Sequence, residues 1–222
     1  MSEKTDTSQS IIHQLPPEVS NKIAAGEVIQ RPASVVKELL DNAIDAGADH
    51  IKIIIQNAGR TLIQVIDNGC GMGEEDIRLC FEQHATSKIN SVEDLFEVRT
   101  LGFRGEAMAS IASVAQVTLK SKRPEDEVGH EYEIWGGEEK EMKPAAVDNG
   151  TSVAVRNLFY NVPARRQFLK TDATEFRHIL KTIQQAVLGH PDIGFNVIAD
   201  TDEIYDLRSQ PADERAYCCN VR

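Results

Sequence analysis

The sequence predicts an α+β fold, a two-layer sandwich in which a mainly antiparallel mixed sheet carries helices on one face. Two observations support this prediction. Helical patterns come first along the chain of 222 residues, and short segments rich in β-branched residues follow them. That order is typical of α+β proteins rather than of alternating α/β proteins. In addition, two of the β-branched segments are separated by only a short turn, which favours antiparallel pairing.

Two helices begin the fold. A short helix is predicted over residues 16–26, because prolines stand at its start and a glycine at its end. A second helix is predicted over 32–47, where apolar residues recur in pairs four positions apart and therefore line one face. Glu38, Asn42 and Asp45, spaced by four and three positions, line a neighbouring polar face.

The rest of the chain is predicted to contain strands, helices and one long irregular stretch. A hairpin joins strands at 51–55 and 62–66 and leads into a helix around 74–83. The stretch 84–104 shows little periodicity, and about twenty residues without a regular pattern are typical of a lid or of a disordered loop. A helix over 105–114 follows. The remaining predicted elements are strands at 116–120, 131–135, 151–158 and 194–199 and a helix at 174–188.

Length and composition fit one domain plus the start of another. Apolar residues make up 41% and charged residues 27% of the chain, as in soluble globular proteins. We expect a disordered tail over 1–10, one domain over 11–200, and the beginning of a truncated second domain over 201–222. No segment has the apolar length of a membrane span, and no signal-peptide core is present. The expected location is therefore the cytoplasm or the nucleus.

The net charge of −11 opposes strong non-specific DNA binding by the chain as a whole. One basic stretch interrupts this acidity and consists of Arg165, Arg166, Lys170, Arg177 and Lys181. A DNA-binding groove and an ordinary solvated helix face explain such a stretch equally well, so both interpretations stay open. The four cysteines form no C-x-x-C pair, and no zinc site is predicted from them.

Glu38 and Asn42 form the first motif with chemical meaning. Nucleotide hydrolysis requires a metal that neutralises phosphate charge and a base that orients water. The two residues are one helical turn apart and can project into one cleft. Glu38 can accept a proton from water, and Asn42 offers a neutral oxygen suited to Mg²⁺. Taken alone, a polar pair at this spacing is also ordinary helix surface.

Asp67 ends an apolar strand, and two glycines, Gly69 and Gly71, follow it closely. A carboxylate in this position can accept a hydrogen bond from an exocyclic amine such as that of adenine. Glycines let the backbone approach a ligand and adopt positive φ. A plain Asp-Asn-Gly turn is the simpler explanation of this motif on its own.

Gly102 and Gly105 open the predicted helix at 105–114, and backbone N–H groups at such a position favour phosphate. Upstream, Thr86, Ser87 and Lys88 add two hydroxyls and a cation to the aperiodic stretch. The chain contains neither a Walker loop nor a G-x-G-x-x-G motif between a strand and a helix, so those two nucleotide folds are not predicted.

In combination these motifs resemble a known superfamily. E-x-x-x-N at 38–42, D-x-G-x-G at 67–71, G-F-R-G-E-A at 102–107 and G-T at 150–151 are similar to the motifs of the ATPase superfamily shared by type II topoisomerases, a heat-shock chaperone, histidine kinases and MutL. Longer stretches resemble MutL-type mismatch-repair proteins and lie at 21–28, 31–39, 84–88, 101–107 and 158–166. The resemblance covers about residues 11–200 and implies a Bergerat-type ATPase fold.

The resemblance also implies roles for individual residues and the cofactors ATP and Mg²⁺. Glu38 would be the general base, and Asn42 would hold Mg²⁺ against the phosphates. Asp67 would bind the adenine amino group with support from Thr151. The remaining implied nucleotide contacts are Gly69, Gly71, Thr86, Ser87, Lys88, Gly102, Arg104 and Gly105. Asp41 stands where the family commonly has glutamate, and because it keeps the charge we expect no loss of function.

The function that the resemblance implies is an ATP-driven switch in DNA mismatch repair. ATP would order the lid and bring together the N-terminal regions of two MutL-type protomers, and a MutS-type mismatch sensor would act upstream. DNA would be contacted weakly through Arg165, Arg166 and Lys170. Because the family's second domain supplies a lysine to the terminal phosphate, we expect slow or no hydrolysis by this chain alone.

Two other functions would also use an ATP site of this type. The ATPase domain of a type II topoisomerase subunit is the main alternative, but the stretches at 31–34 and 158–166 favour the MutL type. A histidine-kinase phosphotransferase would need a phospho-accepting histidine on a helical hairpin upstream of the ATP site. His13 does not lie in such a pattern, so this function is disfavoured.

Overall fold

The computed structural model describes residues 16–88, 100–102 and 105–210, with the backbone alone at 17–21 and 24. Within these residues the chain forms one eight-stranded mixed sheet. The strands are β1 (His50–Gln56), β2 (Leu62–Asp67), β3 (Gln116–Lys122), β4 (Gly129–Trp135), β5 (Glu138–Ala145), β6 (Gly150–Arg156), β7 (Gly194–Ala199) and β8 (Asp202–Leu207). Their order across the sheet is β5-β4-β3-β6-β2-β1-β7-β8. All neighbouring pairs are antiparallel except β1 and β7.

Two of the described α-helices precede the first strand, and the other four lie between strands along the chain. The helices are α1 (Pro17–Val28), α2 (Pro32–Asp45), α3 (Glu74–Leu79), α4 (Ala107–Val114), α5 (Pro163–Phe168) and α6 (Asp172–Gly189). Helix α2 packs against α6 and β2, and α4 packs against α1, β3 and β4. The apolar stripe of α2 predicted from its sequence is the stripe that is buried.

One face of the sheet forms the core. Ile53, Val65, Val153, Leu119 and Tyr132 are direct partners on five adjacent strands, and all five are buried. Because side chains alternate along a strand, the other face carries their polar neighbours. The helices therefore cover a single face, which confirms the predicted two-layer α+β sandwich.

Most predicted elements are present, and the structure adds three that were not predicted: strands β5 and β8 and helix α5. Strand β5 was not predicted because its Glu- and Lys-rich sequence lacks the alternation of a half-buried strand; it is an edge strand that lies largely exposed. The short helix α5 begins at Pro163 and was also missed. Helix α3 ends at Leu79, earlier than the predicted 83.

The third addition is strand β8, which lies beyond residue 200, where the first domain was expected to end. Strand β8 turns back at Asp200, where φ is +52°, and pairs antiparallel with β7. The sheet thus extends to Leu207, beyond the predicted end. The expected tail at 1–10 lies outside the described residues, as does the end of the chain from 211 onward. In the part of the chain that the structure describes, no helix is long and apolar enough to cross a membrane.

Candidate functional site

A polar row crosses the core face of the sheet where three strands end. Thr151 of β6 pairs directly with Asp67 of β2 on one side and with Ser121 of β3 on the other. Burial raises the pKa of the Asp67 carboxyl to about 6, although N–H groups of Gly69 and Thr151 that donate to it act in the opposite direction. At neutral pH this carboxylate is mainly ionised and acts as a hydrogen-bond acceptor.

The loop after Asp67 is held close to the end of α2. The Cys70 N–H donates to the Ala46 carbonyl oxygen at 3.0 Å. A Cβ at Gly69 would lie 2.7 Å from the same oxygen, so the absence of a side chain at Gly69 permits this approach. A positive φ was predicted for Gly69, but its φ is not positive. Gly71 does adopt positive φ (+68°), and a Cβ there would lie 2.1 Å from the Lys122 carbonyl oxygen. The loop therefore joins α2 to the sheet.

Ser121 is a site residue that the sequence motifs did not indicate. It is completely buried, and its hydroxyl contacts the Met72 N–H at 2.8 Å, the Gly150 carbonyl oxygen at 2.9 Å and the Thr151 hydroxyl at 2.9 Å. It thus connects the glycine loop, β3 and the start of β6. The available signal was a serine at a core-facing position of an otherwise apolar alternation in β3.

The polar face of α2 forms the second part of the site. Glu38 is half-buried, and desolvation raises the pKa of its carboxyl, while the positive charges of Lys37 and Lys88 partly oppose this shift. The neighbouring Asp41 is paired with Lys37 on the helix surface. A carboxylate with a raised pKa is a better proton acceptor than an exposed one.

Lys88 joins this helix face to the loop that follows α3. Its Nζ lies 2.6 Å from Asp45 Oδ2 and 3.2 Å from Asn42 Oδ1. Asp45 also accepts the N–H groups of Leu101 and Gly102, at 3.0 and 3.3 Å. The Asp45 side chain is only 8% exposed, so one carboxylate binds both ends of the predicted lid.

The two ends of the lid also contact each other. The His84 N–H donates to the Gly105 carbonyl oxygen at 3.1 Å, and Gly105 has a φ of +62°. A Cβ at Gly105 would lie 2.3 Å from the Ala85 carbonyl oxygen, so glycine is required there. Thr86 Oγ1 accepts the Lys88 N–H, whereas the Ser87 side chain is exposed. The predicted contact Arg104 lies outside the described residues.

The donor set of this site suits a hard cation held together with phosphates. Asn42 contributes an amide oxygen next to the half-buried Glu38 carboxylate. Within residues 16–88, 100–102 and 105–210, no group of three or more His, Cys, Asp or Glu side chains could hold a metal alone. Mg²⁺ commonly takes one or two protein oxygens and completes its shell with water and substrate phosphates. The residues present therefore fit Mg²⁺ delivered with a nucleotide.

The basic stretch is only partly free on the surface. The guanidinium of Arg165 packs against Gly26 of α1, and its Nη1 atom is buried without a hydrogen-bond partner. Arg165 is therefore not available to the predicted DNA-binding surface, because its charged group points into the fold. Arg166, Lys170 and Arg177 are exposed.

Comparison with known proteins adds independent information. A family model described as "Histidine kinase-, DNA gyrase B-, and HSP90-like ATPase" matches residues 30–145. The chain is 58% identical over 206 residues to "DNA mismatch repair protein MutL" of Chloroherpeton thalassium, covering 93% of this chain and 32% of that protein. It is 55% identical over 198 residues to the protein of the same name from Flavobacterium johnsoniae, covering 89% and 31%. The chain spans about a third of the length of these relatives.

Solved structures show the same similarity. The Aquifex aeolicus MutL ATPase domain complexed with ADP superposes with a TM-score of 0.71 at 32% identity, covering 86% of this chain and 69% of that one. The N-terminal domain of a DNA repair protein gives a TM-score of 0.77 at 28% identity, covering 90% and 60%. These comparisons confirm the predicted resemblance to MutL-type ATPase domains and do not favour the topoisomerase alternative.

Proposed function

The chain belongs to the histidine kinase-, DNA gyrase B- and HSP90-like ATPase family, and we propose that it is the ATP-dependent switch of a MutL-type DNA mismatch-repair protein. The observation that carries the proposal is the hydrogen bond from Cys70 N–H to the Ala46 carbonyl oxygen. It holds the end of α2 against the glycine loop, and thereby brings the helix that carries Glu38 and Asn42 next to the loop that follows Asp67. Asp67 can then accept a hydrogen bond from the nucleobase of a ligand whose phosphates and metal lie against the polar face of α2.

The base end of this ligand is recognised by Asp67. Its ionised carboxylate accepts a hydrogen from the amino group of adenine, and the adjacent Thr151 supports that contact. Gly71 lets the loop that follows Asp67 lie against the end of β3, since a Cβ there would lie 2.1 Å from the Lys122 carbonyl oxygen. A charge-assisted hydrogen bond of this kind is stronger than one between neutral groups.

The phosphate end is bound by α2 and the lid. Mg²⁺, when bound, neutralises phosphate charge, and Asn42 is the residue that would hold it. Lys88, which contacts Asn42 and Asp45 in the structure, is close enough to exchange these partners for phosphate oxygens. The Gly105 N–H would add a further donor, and the Gly102 N–H, which donates to Asp45 in the structure, would exchange that carboxylate for phosphate in the same way. Glu38 then accepts a proton from the attacking water.

ATP acts as a switch if it binds the closed arrangement more tightly than the open one. Closure would involve the lid and the N-terminal segment and would favour pairing with a second MutL-type protomer. A MutS-type sensor would control this step, and the signal would pass to downstream repair. We place the protein in the cytoplasm, as its similarity to bacterial MutL proteins supports. Turnover by these 222 residues alone is expected to be slow or absent, because the family resemblance implies that a second domain supplies a lysine to the terminal phosphate.

Calorimetric titration with a non-hydrolysable ATP analogue tests the proposal. Wild-type protein should bind the analogue in the presence of Mg²⁺, and chelation of Mg²⁺ should weaken the affinity. Asp67→Asn should bind at least about tenfold more weakly, because the amide replaces a charge-assisted contact. Equal affinity of the wild type and Asp67→Asn would exclude the adenine contact, and no binding by the wild type would contradict the function of this site.

Weak DNA binding is the secondary part of the proposal. Arg166 and Lys170 are exposed and make no ion pair among the described residues, so both side chains are free to meet phosphate. Arg166→Ala should weaken binding to duplex DNA. It should also reduce the slope of log affinity against log salt concentration by about one, the value for one lost phosphate contact. Affinity that stays constant between low and moderate salt would contradict a contact with phosphate.

A further inference from the structure

We propose that Ser121 fixes the hydrogen-bond direction of the Thr151 hydroxyl and thereby makes the base pocket select an amino group over a carbonyl group. This inference rests on the proposed nucleotide-binding function. Ser121 lies one strand away from Asp67, with Thr151 between them. It is buried, so it would act on the base through Thr151 and is a positioning residue.

The Ser121 hydroxyl has as many hydrogen-bond partners as it can serve. A serine hydroxyl has one proton to donate and two lone pairs that accept. Three partners surround this one: the Met72 N–H at 2.8 Å, the Gly150 carbonyl oxygen at 2.9 Å and Thr151 Oγ1 at 2.9 Å. All hydrogen-bonding capacity of the Ser121 hydroxyl is therefore used.

The direction of each bond is then determined. An N–H group can only donate, so Met72 occupies one lone pair of Ser121. A carbonyl oxygen can only accept, so the single Ser121 proton is donated to Gly150. The remaining partner, Thr151, must donate its own hydroxyl proton to the second lone pair of Ser121.

Thr151 consequently presents only lone pairs to the cleft. Asp67, its direct cross-strand partner, is also an acceptor when ionised. Such partners have Cβ atoms about 4.5–5.5 Å apart. The two acceptors of one amino group lie about 5 Å apart when each hydrogen bond is about 2.9 Å long, a separation that oxygens on neighbouring side chains of this kind can adopt. Two adjacent acceptors therefore match an exocyclic amino group.

A purine with a carbonyl group at the same position would be rejected. Its oxygen would face two acceptors and receive no hydrogen bond, which is costly for a desolvated polar group. Without Ser121, the Thr151 hydroxyl could rotate and donate its proton to that oxygen. The selectivity between amino and carbonyl purines would then fall, although Asp67 would still contribute its own preference.

The test compares the affinities for ATP and inosine 5′-triphosphate, which carries a carbonyl in place of the amino group. Calorimetry with Mg²⁺ gives the two Kd values for wild type and for Ser121→Ala. The ratio of affinities should fall about tenfold in Ser121→Ala, as expected for the loss of one directed hydrogen bond. The matched control is Ser113→Ala, because Ser113 is also buried but donates to Ser110 in α4, away from the base row. Its ratio should remain that of the wild type.

A second variant keeps the test informative if Ser121→Ala does not fold. Thr151→Val removes the hydroxyl and leaves both other bonds of Ser121 intact. If Thr151 is an acceptor, this change lowers the preference for ATP; if Thr151 instead donates to the base, the preference rises. A rise, or no change in either variant, overturns the inference while ATP binding still supports the proposed function. No ATP binding by the wild type would overturn both.

Discussion

The two ends of the site differ in how they are built. The base end is part of the sheet, where strand register places Asp67, Thr151 and Ser121 side by side. The phosphate end is assembled from α2 and from loop segments far away in the sequence, through Lys88 and Asp45. The first part is set once the sheet forms, whereas the second depends on contacts that a ligand can replace.

This difference explains why one end suits recognition and the other suits switching. The hydroxyl of Ser121 uses all of its hydrogen-bonding capacity, so a rearrangement of the base end would break hydrogen bonds that are already formed. The ammonium of Lys88 lies 3.2 Å from Asn42 Oδ1, so under the proposed function it would have to move for Asn42 to hold Mg²⁺. Exchange of partners at the phosphate end can therefore report whether nucleotide is present.

The largest expected effect is at the phosphate end. In the full-length protein, Glu38→Ala should lower turnover by roughly 10²–10⁴, the range typical of a lost general base, while ATP affinity stays nearly unchanged. Steady-state hydrolysis and calorimetry measure the two quantities. Glu75→Ala, an exposed residue of α3, serves as the control and should retain turnover. Unchanged turnover in Glu38→Ala would remove Glu38 from the mechanism.

The next effect tests the contact between Lys88 and Asp45. Asp45→Asn removes the ion pair but keeps an acceptor for the Leu101 and Gly102 N–H groups. Trypsin should cleave after Lys88 about five- to tenfold faster, because opening of this segment costs less free energy. Asp41→Asn breaks a surface pair on the same helix and should leave the cleavage rate unchanged. Equal rates in wild type and Asp45→Asn would show that the pair does not hold the loop.

The pH dependence of ATP affinity examines the base end. With a pKa of about 6, Asp67 is nearly fully ionised at pH 7.5 and only about a quarter ionised at pH 5.5. The protonated carboxyl loses acceptor capacity, so affinity should fall about fourfold over this interval. Calorimetry of Asp67→Asn over the same range isolates the contribution of this group, since the amide does not titrate. A pH profile identical in both proteins would mean that Asp67 does not bind the base.

The smallest effect concerns the stability of the folded state. As pH rises, ionisation of Asp67 should lower this stability, whereas it should raise the affinity for ATP. Because the folded pKa of Asp67 is raised from 3.8 to about 6, the folded state retains a proton that the unfolded state loses. Stability should therefore fall as pH rises from about 4 to 6 and stay level above that. Asp67→Asn should raise the melting temperature of the nucleotide-free protein by about 2–4 °C at pH 7.5. A lower melting temperature at pH 7.5 would show that burial of the charge is not the dominant cost.

Much of the site could be predicted because its residues are marked by local spacing. The separation of Glu38 and Asn42 by one helical turn fixes their common face, and Asp67 stands at the end of a clear apolar strand. Ser121 was missed because its only signal is one serine at a core-facing position of β3, and this signal does not show which distant residues the serine contacts. Arg165 was misplaced for a related reason, since a basic run shows charge but not which guanidinium packs inward.

The sequence by itself determined most helices, most strands, the buried face of α2 and the candidate residues of the proposed nucleotide site. These depend on periodicity and on residue chemistry, which act over a few positions. Only the tertiary structure decided that Ser121 completes the row with Thr151 and that Asp45 binds both ends of the lid. Strand register and loop contacts join segments that are distant along the chain, and they form only when the whole core packs.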